Sequence, residues 1–340
     1  MLRNVTATRY ATPLREGGSL PGLMEADDLG TWVVKFHGAG QGVKALLAEV
    51  VAGELARALG FAVPELVVID VDPELGRVEP DQEIQELLRA SPGANLGMDY
   101  LPGSITYDPL AFTVDAGLAA RVLWLDALVL NVDRSWRNPN LLLWGGRLWL
   151  IDHGAALYPH HDWTRAKGTL DRALPQWNQH VLLPAAGELA VSLPAADAAL
   201  APAVTEELLR DVLALVPDAW FGIDANADAD AARYVDWLHT RVSGSRPWVT
   251  AMLATDRPTR SADRGTGPPE WLRRRLPSRP AHAPTTSPPA PGRHRDGDHG
   301  SNGCEDGRRS ADDRATDNTA GDGRTADGRA GDDRAGDSRG

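Results

Sequence analysis

The chain has 340 residues, 42% of them hydrophobic, and a net charge of −12 at pH 7. That length suits one large domain or two lobes sharing a cleft, and the acidic balance argues against direct nucleic-acid binding, which needs a basic face. No apolar run reaches the roughly 18 residues of a membrane span, no secretory signal is visible, and Cys304 has no second cysteine to pair with. The expected compartment is the cytoplasm, with no membrane contact.

In chain order, residues 5–10 and 31–36 have the β-branched and aromatic character of strands. Between them Glu16, Gly17, Gly18 and Ser19 form a turn or flexible loop. Over 43–59, Leu46, Leu47, Val50, Val51, Leu55 and Leu59 recur at helical steps, and Gly60 ends the run. Strands follow at 65–71 and, after a polar loop, at 94–101, closed by Pro102 and Gly103. A long helix is expected over 109–130, with Gly117 as its weak point, then a hairpin over 141–151 and helices near 203–215 and 228–253. Eleven tryptophans are best read as core, since indole is a large apolar group. From about residue 255 the composition turns to Pro, Arg, Gly and Asp. Residues 281–340 carry 9 Arg and 12 Asp or Glu, a mixture that buries too little apolar surface to offset its ordering entropy. The expected architecture is α+β and bilobal: a sheet-rich part with one helix over 1–101, a helical part over 102–255, and a disordered tail over 256–340.

The chemistry concentrates at the end of the 109–130 helix. Asp133 is followed five positions later by Asn138, then by two short apolar runs around Gly145 and Gly146, then by Asp152, His153 and Gly154. A phosphotransferase needs one carboxylate to orient the attacking hydroxyl, and an amide oxygen with a second carboxylate to hold Mg²⁺ on the phosphates. Asp133 fits the first role; Asn138 and Asp152, hard oxygen donors, fit the second. Asn140 is an alternative ligand two residues on, and Arg134 and Arg137 are placed to neutralise phosphate or hold the loop. The competing reading makes 131–133 a helix-end turn and 152–154 a tight turn after a strand.

Upstream, Lys35 closes an apolar strand and Glu49 lies fourteen residues on, among apolar helix neighbours. A buried carboxylate there needs a cation, and a Lys35–Glu49 pair satisfies both; a surface charge on each element is the plainer alternative. Gly17, Gly18 and Ser19 stand where a loop covering phosphates is needed. Met98, Asp99, Tyr100 and Leu101 stand where a connector meets a nucleotide base. His153, His160 and His161 fit no common zinc spacing, and non-metal roles are expected for them.

With these residues in view, the chain resembles the HipA-like branch of the protein-kinase-like superfamily. The resemblance is carried by Gly17–Ser19, Lys35, Glu49, the 97–103 connector, the 124–128 helix, Asn131-Val132-Asp133, Asn138 and Asp152-His153-Gly154. It implies a two-lobed kinase fold, ATP with Mg²⁺, and phosphoryl transfer to a hydroxyl, often of a protein Ser or Thr. By motif, Lys35 takes the ATP-binding lysine role, Asp133 that of catalytic base, and Asn138 and Asp152 those of metal ligands. Asn131 and Val132 stand where eukaryotic-type kinases have His and Arg, and His153 stands where they have Phe. Two other functions remain open: a nucleotide-binding pseudokinase acting as an interaction module, and a small-molecule phosphotransferase of the aminoglycoside or homoserine type.

Overall fold

The computed structural model describes residues 1–14, 20–40, 42–77, 79–222 and 226–254. The expected phosphate loop at Gly17–Ser19 and the tail over 256–340 lie outside the described residues. The first part of the chain supplies five strands: β1 (Arg3–Pro13), β2 (Gly22–Ala26), β3 (Thr31–Lys35), β4 (Leu66–Val71) and β5 (Gly93–Asp99). β1 decides their arrangement. Register shifts after Ala7 and Tyr10 bend it, as bulges do. Its start pairs in parallel with β4 and its later part pairs antiparallel with β2. One strand thus joins both edges, closing a barrel in the order β1-β2-β3-β5-β4 and removing unpaired edges.

Met24, Trp32, Val34, Val67 and Ile69 fill the barrel with Ile84 and Leu88 of α2 (Gln82–Arg89), which follows α1 (Val43–Ala58) in the chain. Gly97 faces that interior, where a Cβ would stand 2.8 Å from Val67 Cγ2; only glycine fits without displacing it. The alternate residues Leu66, Val68, Leu96 and Met98 turn outward onto α1. This explains why β4 is apolar almost throughout: both its faces are covered. α1 is buried from Leu46 to Gly53 without a break, the pattern of a helix packed on all sides. Each fully buried Leu or Val there contributes about 1.5–3 kcal/mol relative to exposure.

The second part centres on α3 (Ala116–Val129), buried continuously from Val122 to its end. A second sheet of β6 (Ile105–Thr106), β7 (Leu141–Trp144) and β8 (Arg147–Leu150) lies beside it in the sequence. Gly145 and Gly146, with φ of 57° and 74°, make the two-residue turn joining β7 to β8. The remaining helices are α4 (Trp163–Ala166), α5 (Leu189–Leu200), α6 (Glu206–Leu213), α7 (Ala227–Val242) and α8 (Pro247–Ala254). One hydrophobic cluster runs from α1 through α3 to α8, including Trp124, Trp177, Trp220, Trp237 and Trp248. Among the described residues no helix is long and apolar enough to cross a membrane.

Several local expectations change. The first sheet is a closed barrel containing a strand, β2, that was not expected, and α2 replaces part of the polar loop. The 109–130 helix starts at Ala116, where the Asp115 carboxylate accepts the Leu118 N–H at 2.9 Å, so Gly117 lies in the first turn, where it costs little. The 228–253 helix is divided: Gly244 and Arg246 adopt positive φ, and Pro247 opens the next helix. α5 is an addition.

Candidate active site

α3 ends on Leu130 in the left-handed conformation, φ 52°, with its N–H bonded to Asp126 O. A leucine there is strained, and the turn it makes brings Asn131 back over the last helical turn. The Asp126 carboxylate, wholly buried, accepts Asn131 Nδ2 at 3.0 Å, Arg134 Nε at 2.7 Å and His180 Nε2 at 2.9 Å. His180 Nδ1 accepts the Leu182 N–H at 3.2 Å, so Nε2 carries the donated proton. Burial pushes the Asp126 pKa up, but Arg134 and then His180 hold it at about 2. Arg134 also donates to Asn140 O and, at 3.5 Å, to Ile151 O. One guanidinium therefore ties the loop to both ends of the β7–β8 hairpin.

On this platform Asp133 is half-buried. Its Oδ2 accepts Asn138 Nδ2 at 2.8 Å and Asn140 Nδ2 at 3.4 Å. Its pKa is raised, first by burial and then by the Asp152 charge, against the Asn140 and Asn138 hydrogen bonds. Asn140 is buried, and its amide lies 3.4 Å from Asp152 O as well. Asn138 is exposed. Asn140 and Asp152 have φ of 48° and 55°, left-handed values that Asn and Asp tolerate better than most residues. β8 is held against the segment that follows α1 by Leu150 N–H to Ala62 O at 2.9 Å, which carries Asp152 toward β3.

There Lys35 Nζ meets Asp152 Oδ1 at 2.6 Å and Glu49 Oε2 at 2.7 Å. The Lys35 side chain is 12% exposed, Glu49 1% and Asp152 40%. Burial alone would lower the lysine pKa, yet Glu49 and Asp152 raise it above its usual value. Burial likewise opposes the Glu49 charge, and Lys35 with His153 holds the carboxyl well below the carboxylate range. The structure thus brings Lys35, Glu49 and Asp152 into one cluster, with Asp133 and Asn138 adjoining it through Asn140.

The connector residues are placed differently. Met98 packs in the main core. Asp99 N–H donates to Glu65 O at 2.8 Å and Tyr100 N–H to Thr31 O at 3.0 Å, while Leu101 O accepts from Ser104 at 3.1 Å. Arg134 holds the loop rather than facing solvent; Arg137 is exposed, its guanidinium 5.0 Å from the Trp136 ring centroid. His160 is buried, with Nδ1 3.1 Å from the Tyr234 hydroxyl and Nε2 3.3 Å from His161 Nε2. Burial, then His161 and Lys44, push its pKa down to about 3. Among the described residues no group of three or more His, Cys, Asp or Glu is placed to hold a metal. A Mg²⁺ ion bound chiefly through phosphates needs only one or two protein oxygens. Asp152 Oδ2 and the exposed Asn138 amide fit that need, and the Lys35 ammonium on Asp152 Oδ1 marks the spot as one that attracts cations.

Two functional residues had no role in the sequence reading: Asp126, which entered only as part of the 124–128 helix, and His180. Asp126 carried a usable signal, as the lone acid in the apolar run 122–130; His180 carried none.

Among solved structures the chain is similar to the Helicobacter pylori proinflammatory kinase CtkA, at 12% identity and a TM-score of 0.43, covering 73% of this chain and 98% of that one. It is also similar to the Golgi casein kinase, at 12% identity and a TM-score of 0.33, covering 71% and 73%. No curated protein sequence matches it. The model of the HipA-like kinase family matches residues 9–246, a span that holds Lys35, Glu49, Asp133, Asn138 and Asp152, and the chain belongs to that family of kinase-type phosphotransferases.

Proposed function

We propose that the protein transfers the γ-phosphate of ATP, with Mg²⁺, to a hydroxyl acceptor, a protein Ser or Thr. The observation that carries this reading is Lys35 bridging Glu49 and Asp152 at 2.7 and 2.6 Å in a chain whose Asp133 adjoins the same carboxylate. The closed barrel with α1, residues 1–101, is the nucleotide-side lobe, and residues 102–255 form the acceptor-side lobe.

Lys35, kept in place by Glu49, turns its ammonium from Asp152 to the α- and β-phosphates. Asn138 and Asp152 would hold Mg²⁺, which supplies neutralisation of the phosphate charge. The exposed Asn138 is the better ligand of the two amides, because Asn140 is buried, while both already donate to Asp133. Of the connector, the Asp99 and Tyr100 N–H groups are already bonded, which leaves Leu101 N–H to meet the base edge beside Met98. Asp133 accepts the proton of the acceptor hydroxyl as its oxygen bonds to the γ-phosphorus and the bond to the β-phosphate oxygen breaks, releasing ADP. Its pKa, raised by burial and the Asp152 charge, moves the acid limb of the rate profile upward from the ordinary aspartate value, with the rate falling as pH drops through it.

The test is transfer from γ-labelled ATP with Mg²⁺ to lysate proteins and, separately, to small alcohols and amino-sugars. Label on protein Ser or Thr supports the reading. Label on small molecules alone moves the protein to a small-molecule phosphotransferase. Tight Mg·ATP binding without transfer to any acceptor or to water rejects the enzyme and favours the pseudokinase.

A further inference from the structure

We propose that His153 is a positioning residue for this reaction: its Nδ1–H holds the second carboxylate oxygen of Glu49, so that Lys35 is oriented by a clamp reaching from strand to helix to metal-binding segment. This rests on the kinase reading of the Lys35 site. Glu49 is almost wholly buried and has two oxygens to satisfy, but Lys35 takes only Oε2. The polar atom facing Oε1 is His153 Nδ1, at 3.4 Å. His153 is itself buried, 1% exposed, and neither ring nitrogen has a hydrogen-bond partner. A buried imidazole in that state is costly, and a phenyl ring of similar size would avoid the cost. The imidazole is explained if a shift of a few tenths of an ångström closes the gap to Glu49.

The packing allows that shift. Gly53 lies one turn after Glu49 on α1, and a Cβ there would stand 3.7 Å from His153 Nδ1, so the ring rests on the helix face where glycine leaves space. At Gly154 a Cβ would lie 3.5 Å from Ala45 O and 3.6 Å from Glu49 Oε2. The segment carrying Asp152 therefore runs directly along α1. When Lys35 gives up Asp152 for phosphate, the His153–Glu49 contact is what keeps that segment joined to the helix. A neutral ring with its proton on Nδ1 suffices.

The test compares His153→Phe, which keeps the ring and removes the donor, with His153→Asn, whose amide N–H can stand near Nδ1. Mg·ATP affinity, KM and kcat are measured in the full chain, with melting temperature as a control. The account expects His153→Phe to weaken Mg·ATP binding about tenfold with its melting temperature kept, and His153→Asn to recover most of it. In a Glu49→Gln background, His153→Phe has no further effect. Wild-type affinity in His153→Phe overturns the proposal. So does equal impairment of Phe and Asn variants, or an undiminished effect in the Glu49→Gln background. Should His153→Phe fail to fold, or the wild type neither bind Mg·ATP nor transfer phosphate, ring ¹⁵N chemical shifts of wild-type His153 decide. An Nδ1–H tautomer that changes in Glu49→Gln supports the clamp even where the kinase reading has failed; an Nε2–H tautomer overturns the clamp alone.

Discussion

Two buried carboxylates organise this molecule, and they are handled in opposite ways. Asp126 is sealed with its partners: its side chain and that of Arg134 are 0% exposed and that of His180 2%. Glu49 is just as buried, but the cluster continues through Lys35 to Asp152, which is 40% exposed. A sealed set of charges has no replacement for a lost partner, so it fixes the shape of the loop above it. A set open at one end can exchange its outermost partner for a ligand at little cost to the fold. The first cluster holds the loop that carries Asp133; the second is the one proposed above to take up a phosphate.

The sharpest way to break this distinction is Asp126→Ala. It leaves Arg134 buried without its carboxylate, and about 3–5 kcal/mol of stability should be lost, which for a folded region of this size is roughly 10 °C in melting temperature. A change near zero in thermal unfolding would mean that the sealed cluster does not hold the loop. Asp152→Asn is the counterpart at the open end. Its partner Lys35 keeps Glu49, and the Asp152 side chain is 40% exposed, so melting should move by less than about 1 kcal/mol. Phosphate transfer should nevertheless fall by about a hundredfold or more. A large loss of stability in Asp152→Asn would erase the contrast.

Acid titration separates the two buried carboxylates, Asp126 and Glu49, from a buried histidine. His160 has a folded pKa of about 3 against an ordinary 6.5. The unfolded chain therefore binds its proton first, and the stability from the neutral ring, complete above pH 6.5, is lost as pH falls toward 3. Lys44, which donates to His160 O at 2.8 Å, His161 and the Tyr234 hydroxyl are the groups around it. Asp126, at about 2 against 3.8, contributes stability that is complete above pH 4 and lost only below it. Melting temperature should thus decline in two stages on acidification, and His160→Asn should flatten the stage between pH 6.5 and 4 while leaving the lower one. The smallest effect is expected at Arg137→Ala, where an exposed guanidinium rests on Trp136 and about 0.5–1 kcal/mol is at stake in the same melting measurement.

How much of this was legible in the sequence follows from how local each signal is. Lys35 at the end of an alternating strand, Glu49 on a periodic helix and the Gly145–Gly146 turn that returns Asp152 toward Asp133 each leave a pattern within a few residues. β1 does not: its bulges and its parallel pairing of Arg3–Thr6 with Val67–Asp70 join segments about sixty positions apart, and a closed barrel reads locally like an open sheet. α2 is marked only by Ile84, Leu87 and Leu88 in an otherwise polar run. His180 reaches Asp126 across 54 positions from a segment without periodicity, so only the three-dimensional structure joins them. The choice between Asn138 and Asn140 as metal ligand was open in the sequence because the two amides stand two residues apart; the difference in their burial, Asn138 exposed and Asn140 buried, appears only in three dimensions.

The most direct test of the account is transfer from γ-labelled ATP by the purified protein, wild type beside Asp133→Ala, with Mg·ATP affinity measured on both. The account predicts incorporation of label into protein hydroxyls by the wild type. It predicts a loss of about a hundredfold to ten-thousandfold in Asp133→Ala, with affinity within about twofold, because Asp133 acts on the acceptor proton rather than on ATP. Equal transfer by both proteins, or none by either at matched affinity, would contradict it.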